Sequence, residues 1–364
     1  MKPVVWLALL AAAAQAQTGA ALKDAFQGIF RIGVAVNPSQ FEERDQRGDP
    51  IISAQFNSIS PENVLKWEVV HPRADAYDFD PGDRYVAFGE KNKMFIIGHC
   101  LVWHSQVPRW VFQDEKGLPL TRDALLERMH DHIRRVVGRY KGRIGGWDVV
   151  NEALNEDGSL RKSPWYNIIG EDYLVKAFQF AHEADPNAEL YYNDYSLENE
   201  PKRKGALELI RKLKAAGIPV AAVGLQGHDT LDWPTAQQQS DTIEAFAALG
   251  IKVNITELDI DVLPRTQAGN SADVAAVAAA SGRGPNPYVH GLPDEVQQAL
   301  AKKYAELFAV FVAHRASITR VTFWGVTDGD SWLNRGRANY PLLFDRQGKP
   351  KPAFDAVIKT AGGK

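Results

Sequence analysis

The sequence predicts an α/β protein that folds as a single (β/α)8 TIM barrel. Eight short apolar or β-branched runs recur along the chain, and an amphipathic stretch separates each run from the next. The runs are apolar throughout, which is typical of parallel strands that are buried on both faces. No Pro/Ser-rich linker divides the chain, so we expect one domain.

The predicted strands are Arg31–Val36, Gln55–Ser60, Met94–Val102, Ile144–Asn151, Ala188–Asn193, Pro219–Leu225, Ile251–Leu258 and Arg320–Val326. Between them, Thr121–Tyr140 and the stretch that begins at Asp294 carry apolar residues at helical spacing, which predicts two helices with one buried face each. Gly217 and Gly250 are typical of helix ends. An open doubly wound sheet is the alternative, but no Gly-x-Gly-x-x-Gly fingerprint follows the first strand.

The N-terminus is typical of a secretory signal. Lys2 precedes an apolar run and the small-residue pattern Ala14-Gln15-Ala16. We therefore predict a signal peptide over residues 1–16, a barrel domain over residues 17–364, and a secreted protein, either extracellular or periplasmic. The alternative is an uncleaved N-terminal anchor, although the run is shorter than the ~20 apolar residues of a spanning helix.

The charge balance argues against a polyelectrolyte partner. The chain carries 42 basic and 45 acidic residues, a net charge of −3, without a block of like charge. A nucleic-acid or membrane surface has no support in this pattern, and a neutral substrate fits better. Cys100 is the one cysteine, which excludes an intramolecular disulfide. We expect a monomer without a metal or another cofactor.

Three glutamates lie at predicted strand ends, where a barrel of this kind forms its site. They are Glu62, Glu152 and Glu257. A single strand-end carboxylate is more often a helix cap or a solvated surface group. Three of them flanked by Asn, His and Trp indicate a functional site. Two carboxyls are what hydrolysis of a glycosidic bond requires, one to protonate the leaving oxygen and one to attack or to activate water.

Residues beside two of these glutamates fit the same chemistry. Asn151 could donate its amide to a sugar 2-hydroxyl, a contact that strengthens in the transition state. His228 ends the sixth predicted strand, next to the strand that carries Glu257 and Asp259. Period-two alternation puts Glu257 and Asp259 on one face, so Asp259 could hold His228 and His228 could orient Glu257. A hydrogen-bonded core histidine is the alternative for His228.

Aromatic residues recur at the level of the strand ends. They are Trp67, Trp103, Trp147, Trp324 and Trp332. A planar ring suits the apolar face of a pyranose, but a single tryptophan is as typical of the core. His99 and His104 flank Trp103, and no His-x-x-x-His pattern with carboxylates completes a metal site around them. Hydrogen bonding to sugar is the favoured interpretation of both histidines.

Seven ordered motifs resemble the glycoside hydrolase family 10 xylanases over essentially the whole mature chain. They are Phe56–Trp67, Gly98–Gln106, Trp147–Ala153, Tyr192–Tyr195, Gly224–His228, Ile255–Ile260, and Phe323–Asp328 with Ser331-Trp332. Cys100 is a departure, since the family usually has threonine there, and it adds an oxidisable thiol near the site. The Ala/Gly-rich stretch Ala272–Pro287 looks longer than in compact members, and we expect it to be a mobile loop.

The resemblance implies a retaining endo-1,4-β-xylanase with Glu152 as acid/base and Glu257 as nucleophile. Asn151 and His228 would lie around the cleavage point. The substrate groove would be lined by Glu62, Asn63, Lys66, His99, Trp103, Gln106, Gln226, Trp324 and Trp332. The implied partners are xylan and xylo-oligosaccharides. We expect ionised Glu257 to raise the pKa of Glu152.

Two other functions stay open from the sequence. A related barrel glycosidase could act on cellulose or mixed glucan, because two glutamates do not by themselves choose xylose over glucose. A carbohydrate-binding protein without activity could use the same barrel, although the presence of both glutamates counts against it.

Overall fold

The computed structural model describes residues 20–264 and 284–362. The predicted signal peptide and residues 272–283 of the predicted loop lie outside this part of the chain. Within it, no helix is long and apolar enough to cross a membrane.

Parallel strands form the centre of the fold. They are β1 Arg31–Val36, β2 Ser58–Pro61, β3 Phe95–Val102, β4 Gly146–Asn151, β5 Glu189–Asp194, β6 Val220–Leu225, β7 His228–Thr230, β8 Lys252–Asp261 and β9 Ile318–Phe323. Strand β1 pairs with both β2 and β9, and β6 pairs with β8, so eight strands close into a ring. Strand β7 pairs with β8 outside that ring. The predicted (β/α)8 barrel is confirmed.

Helices cover the outside of the barrel in the described part of the chain. They are Leu22–Ala25, Pro38–Phe41, Gly48–Gln55, Trp67–Val70, Asp80–Lys91, Arg122–Arg139, Pro164–Ile169, Tyr173–Ala184, Glu200–Ala215, Ala236–Ala247, Asp294–Ala313 and Pro352–Ala361. Two 3-10 turns cover Arg109–Phe112 and Trp332–Asn334. Both predicted amphipathic helices are present, and Thr121 caps the first through its hydroxyl. Gly217 and Gly250 follow helices with φ of 74° and 70°, as predicted.

The core lies on both sides of the strands. A large cluster fills the space between barrel and helices, and Ile96 belongs to it. A smaller cluster of Ile97, Tyr191 and Ala222 comes from three neighbouring strands. Since successive side chains of a strand point to opposite faces, this second cluster fills the barrel interior. Burial on both faces is what closure of the sheet requires, and it leaves the strand ends to carry polar groups.

The start of the second predicted strand and the predicted place of His228 are both wrong. Gln55 ends a helix and does not begin a strand. The sixth strand ends at Leu225, so His228 does not lie at its end. Gly227, with φ of 77°, turns the chain, and His228 begins β7 opposite Asp259 of β8. This turn holds the imidazole beside the β8 carboxylates.

Candidate active site

A cavity of about 320 Å³ is lined mainly by residues from the carboxyl ends of the strands. The lining residues are Glu62, Asn63, Lys66, His99, Trp103, Gln106, Asn151, Glu152, Gln226, His228, Glu257, Trp324, Trp332 and Arg335. The structure therefore brings together every catalytic and substrate-lining residue that the family resemblance implied, and it adds Arg335. Asp259 lies behind the lining, fully buried.

Glu152 follows directly after β4, and its φ of 55° turns the chain away from the barrel at this point. The indole N–H of Trp103 donates to its Oε2 atom over 2.8 Å, and Nε2 of Gln226 donates to Oε1 over 2.9 Å. Burial raises the pKa of Glu152 to about 7, Asp194 adds to the rise, and the two hydrogen bonds oppose it. Glu257 also raises this pKa, as expected, but less than burial and Asp194.

Glu257 is equally buried but has a different environment. Nδ2 of Asn193 donates to its Oε1 atom over 2.8 Å, and Nε2 of His228 lies 3.1 Å from Oε2. Burial alone would raise the pKa of Glu257, but the bond to His228 and the charges of His99 and His228 outweigh burial and lower it. Glu257 is therefore held as a carboxylate, whereas Glu152 retains a proton near neutral pH.

His228 lies between two carboxyls. Its Nδ1 atom is 2.9 Å from Oδ1 of Asp259, and Asp259 accepts a second hydrogen bond of 2.7 Å from Nε1 of Trp332. Burial would lower the pKa of His228, but Asp259 and Glu257 raise it to about 10. The imidazole is thus a fixed cation that connects Trp332 and Asp259 to Glu257.

Asn193 joins the surroundings of the two glutamates. Its Nδ2 atom lies 2.9 Å from Oδ1 of Asn151 as well as contacting Glu257, and Thr256 donates to its Oδ1 atom over 2.6 Å. Gln226 contacts both Asn151 and Glu152. The sequence analysis did not select Asn193 individually, although its position in the Tyr192–Tyr195 motif at the end of β5 could have indicated it.

One wall of the cavity is a polar network around Lys66. Its Nζ atom donates to Asn63 over 3.1 Å and to Gln106 over 2.8 Å, and lies 4.8 Å above the Trp103 ring. Gln106 donates in turn to Asn63 over 3.0 Å. Burial lowers the pKa of Lys66 and raises that of nearby Glu62. These groups form an array of donors and acceptors suited to sugar hydroxyls.

His99 is held in place by contacts with Asp148 and Trp324. Its Nδ1 atom lies 2.9 Å from Oδ2 of Asp148, and its ring meets Trp324 edge-on at 5.5 Å between ring centres. The peptide bond that joins His99 to Cys100 is cis. Asp148 thus orients His99 toward the cavity, where its charge contributes to the low pKa of Glu257.

Comparison with known proteins assigns the family. A family model for glycosyl hydrolase family 10 matches residues 21–360. The chain belongs to this family. Among curated family 10 relatives, an endo-1,4-beta-xylanase A from Xylanibacter ruminicola is 44% identical over 97% of this chain and 96% of its own. The sequence resemblance to the family is confirmed, and the chain is a glycoside hydrolase.

Solved family 10 structures have the same fold. A GH10 endoxylanase from a sugarcane soil metagenome superposes with a TM-score of 0.88 at 46% identity, covering 93% of this chain and 99% of its own. An intracellular xylanase from Thermoanaerobacterium saccharolyticum, a glutamate-to-alanine mutant in complex with xylotriose, superposes with a TM-score of 0.83 at 36% identity and 94% and 99% coverage.

Some aromatic candidates of this family 10 chain do not reach the cavity. Trp67 is buried and stacks on His132 with 3.4 Å between ring centres, and Trp147 packs under Gly98. His104 is not among the lining residues. In the described ranges, no group of three or more His, Cys, Asp or Glu is arranged to hold a metal ion.

Cys100 of the family 10 barrel is buried, with 2% of its surface exposed. Burial raises the pKa of its thiol well above the ordinary value. The low pKa and the access that make a thiol reactive are both missing. Burial and the raised pKa therefore argue against the expected oxidation of this thiol, although the position is close to the site.

Proposed function

We propose that this chain is a retaining endo-1,4-β-xylanase with Glu152 as acid/base and Glu257 as nucleophile. The observation that carries the proposal is the contrast between two buried carboxyls in one cavity, since the pKa of Glu152 is raised to about 7 and that of Glu257 is lowered. A pair of carboxyls whose environments separate their pKa values in this way suits one acid and one nucleophile.

The contacts of each glutamate fit its proposed half-reaction. Glu257, ionised and oriented by His228 and Asn193, attacks the anomeric carbon. Glu152 gives its proton to the leaving glycosidic oxygen and then, as a carboxylate, removes a proton from the attacking water. Forming the glycosyl-enzyme removes the negative charge of Glu257, and this lowers the pKa of Glu152 for its second role. The double displacement is general to the family and retains the β configuration.

Xylan is the proposed substrate. The curated relative is named as an endo-1,4-beta-xylanase, and the solved relative binds xylotriose. The competing substrate is a β-1,4-glucan, which differs by one hydroxymethyl group per sugar. Parallel assays on xylan and carboxymethylcellulose test the choice, and an enzyme that prefers the cellulose derivative contradicts the proposal.

We propose that the enzyme cleaves bonds inside the xylan chain (the endo mode). The residues that line the cavity come from many strands, which is typical of an open groove. Digestion of xylan should then lower its viscosity before most reducing ends are released. Release of xylose as the sole product from the start would contradict this mode.

The location and assembly proposals rest on the sequence. We propose that residues 1–16 are removed as a signal peptide, that residues 17–364 form a monomeric catalytic domain, and that the protein is secreted. The apolar run and small-residue pattern before residue 17 support removal. N-terminal sequencing of protein from the culture medium and size-exclusion chromatography test these points.

A further inference from the structure

Lys202 is a completely buried lysine on the outer side of the barrel. It is the third residue of the helix Glu200–Ala215 and therefore lies in the first turn, where the helix dipole disfavours a cation. A buried ammonium group also loses its hydration. Both effects oppose a positive charge at this position, so neighbouring groups must stabilise it.

Asp194 is the partner of this buried cation. Its Oδ1 atom lies 3.0 Å from Nζ of Lys202, and neither side chain is exposed to solvent. The ammonium group also lies 3.2 Å above the centre of the Tyr195 ring, and the more exposed carboxylate of Glu156 is 3.6 Å away. The two buried charges depend on each other, because removal of one leaves the other unpaired in the protein interior.

Asp194 ends β5, next to the strand after which Glu152 follows. The amide of Glu152 donates over 2.9 Å to the carbonyl of Asn193, the residue before Asp194. The amide of Gln226 donates over 3.0 Å to the carbonyl of Asp194, and its side chain binds Glu152. These contacts hold the two carboxyls near each other. After burial, the charge of Asp194 is the largest cause that raises the pKa of Glu152.

The effect of Asp194 on Glu152 requires Asp194 to be charged. The hydroxyl of Tyr192 donates to its Oδ2 atom, and the amide of Tyr195 donates to Oδ1 over 2.9 Å, but neither donor carries a charge. A buried carboxylate that loses its cation takes up a proton, because an unpaired charge costs more in the interior than the neutral acid. The ion pair with Lys202 therefore determines whether Asp194 acts on Glu152.

Other ionisable groups surround the two carboxyls. Glu257 adds a smaller rise to the pKa of Glu152, and Lys66 lies on the cavity side. Arg161 donates to the backbone carbonyl of Glu152 over 3.2 Å and to the hydroxyl of Tyr195 over 2.9 Å. Burial raises the pKa of the nearby thiol and phenol groups, so they stay neutral near pH 7. These groups are Cys100, Tyr173, Tyr192 and Tyr195.

We propose that Lys202 is a positioning residue for the acid step: it holds Asp194 as a carboxylate, and the charge of Asp194 keeps the proton on Glu152. The inference rests on the proposed role of Glu152 as acid/base. It deepens that role, because it assigns control of the catalytic proton to a residue outside the cavity. Lys202 does not line the cavity, so it acts on the reaction through Asp194.

The alkaline limb of the pH profile of kcat/KM on a xylo-oligosaccharide tests the proposal, since its position does not depend on the fraction of folded enzyme. In Lys202→Met the cation is lost and Asp194 should take up a proton. The limb should then move to lower pH by about one unit, as for loss of a nearby like charge. Lys202→Gln should give the same shift, and it replaces the methionine variant if that one does not fold. Lys202→Arg keeps the charge and should leave the limb at the wild-type position.

Lys204→Met is the matched control. Lys204 lies on the same helix, but its side chain is 70% exposed and pairs with Glu200 over 2.6 Å. Loss of this exposed and screened charge should leave the limb in place. The double variant Lys202→Met/Asp194→Asn should have the same limb as Lys202→Met, because Asp194 is already neutral in the single variant.

Four results would overturn the role of Lys202. A fall in kcat/KM at every pH without a shift of the limb indicates a purely structural role. A limb that moves to higher pH indicates that Asp194 stays ionised without its cation. An equal shift in Lys204→Met indicates a general effect of helix charge, and a further shift in the double variant indicates a route that avoids Asp194. A Glu152→Ala variant that cleaves the oligosaccharide like the wild type rejects the proposed function itself, so the two failures are distinguishable.

Discussion

The imidazole of His228 lies 3.1 Å from Oε2 of Glu257 through Nε2 and 2.9 Å from Oδ1 of Asp259 through Nδ1. The pKa of His228 is raised to about 10, so a cation lies against the proposed nucleophile throughout the neutral range. In the buried site this contact is the largest single influence that keeps Glu257 ionised against the effect of burial.

His228→Gln should move the acid limb of the pH profile of kcat/KM to higher pH. Loss of the imidazolium lets burial raise the pKa of Glu257, and a protonated Glu257 cannot attack. We expect a shift of about one pH unit and a fall in kcat/KM of about 10- to 100-fold, the range for loss of a supporting group. An acid limb that stays in place would contradict the role of His228. Trp332→Phe removes the hydrogen bond to Asp259, which contacts His228 and not Glu257. This variant should therefore shift the acid limb less than His228→Gln does.

The alkaline limb should lie near pH 7, because Glu152 must be protonated to act as an acid and its pKa is raised to about 7. Trp103→Phe removes a hydrogen bond that favours the charged form, so the pKa of Glu152 and the limb should both rise. Asp194→Asn removes a negative charge, so both should fall. Profiles of kcat/KM measured on a xylo-oligosaccharide, whose leaving oxygen needs a proton, test the pair. Shifts in the same direction for both variants would contradict the assignment of this limb to Glu152.

The sequence predicted the barrel because strand identity depends on local apolar runs, which a folded barrel requires on every strand. It also selected the lining residues, since those motifs lie at strand ends. It misplaced His228, because the turn at Gly227 starts a second short strand whose pairing with β8 is not visible locally. Arg335 was missed for a similar reason: it lies in a loop after the last strand, where no periodicity indicates which side chains reach the cavity.

The tryptophans show a second limit of the sequence. Trp67 and Trp147 belong to the same motifs as lining residues, yet both pack into the core, whereas Trp324 and Trp332 reach the cavity. Composition and spacing predict how far along the barrel axis a residue lies. The direction of its side chain depends on tertiary packing. Asp194 illustrates the same point, since its negative charge raises the pKa of Glu152 only because the fold brings the two groups close together.

Gly98→Ala should destabilise the protein. A Cβ atom at this position would lie 2.0 Å from the Trp147 ring, which is buried and cannot move aside cheaply. We expect unfolding free energy to fall by at least about 2 kcal/mol, as for overpacked cores. Gly138→Ala is the control, because that glycine is exposed on the helix Arg122–Arg139 and a Cβ meets nothing within 4 Å. It should gain about 0.5–1 kcal/mol. Thermal unfolding measures both, and an unchanged melting temperature for Gly98→Ala would reject the packing argument.

Cys100 should not react with a thiol reagent in the native enzyme. The side chain is 2% exposed, and burial raises the pKa of its thiol, so neither access nor thiolate is available. Ellman's reagent should detect one thiol per chain only after unfolding in guanidinium chloride. The variant Cys100→Thr should show none under either condition. Rapid labelling of the native protein with loss of activity would contradict the prediction.

Replacement of each glutamate by alanine should have a different effect on activity. Glu257→Ala should lose activity on every substrate, because no leaving group is good enough to replace a missing nucleophile. Glu152→Ala should lose activity on xylan, whose leaving oxygen needs a proton, but should keep the first step on an aryl glycoside whose leaving group does not. Conservative variants, Glu257→Gln and Glu152→Gln, control for packing in the buried site.

The sharpest test uses azide and the anomer of the first product. In Glu152→Ala the glycosyl-enzyme should accumulate on the aryl substrate, since water lacks its base, and azide should restore turnover because it attacks without one. The azide product should have the β configuration, because the second displacement inverts the α-linked intermediate formed on Glu257. In Glu257→Ala azide attacks from the opposite face in place of the carboxylate and should give an α product. NMR of the initial products distinguishes the two outcomes, and exchanged configurations between the variants would reverse the roles of Glu152 and Glu257.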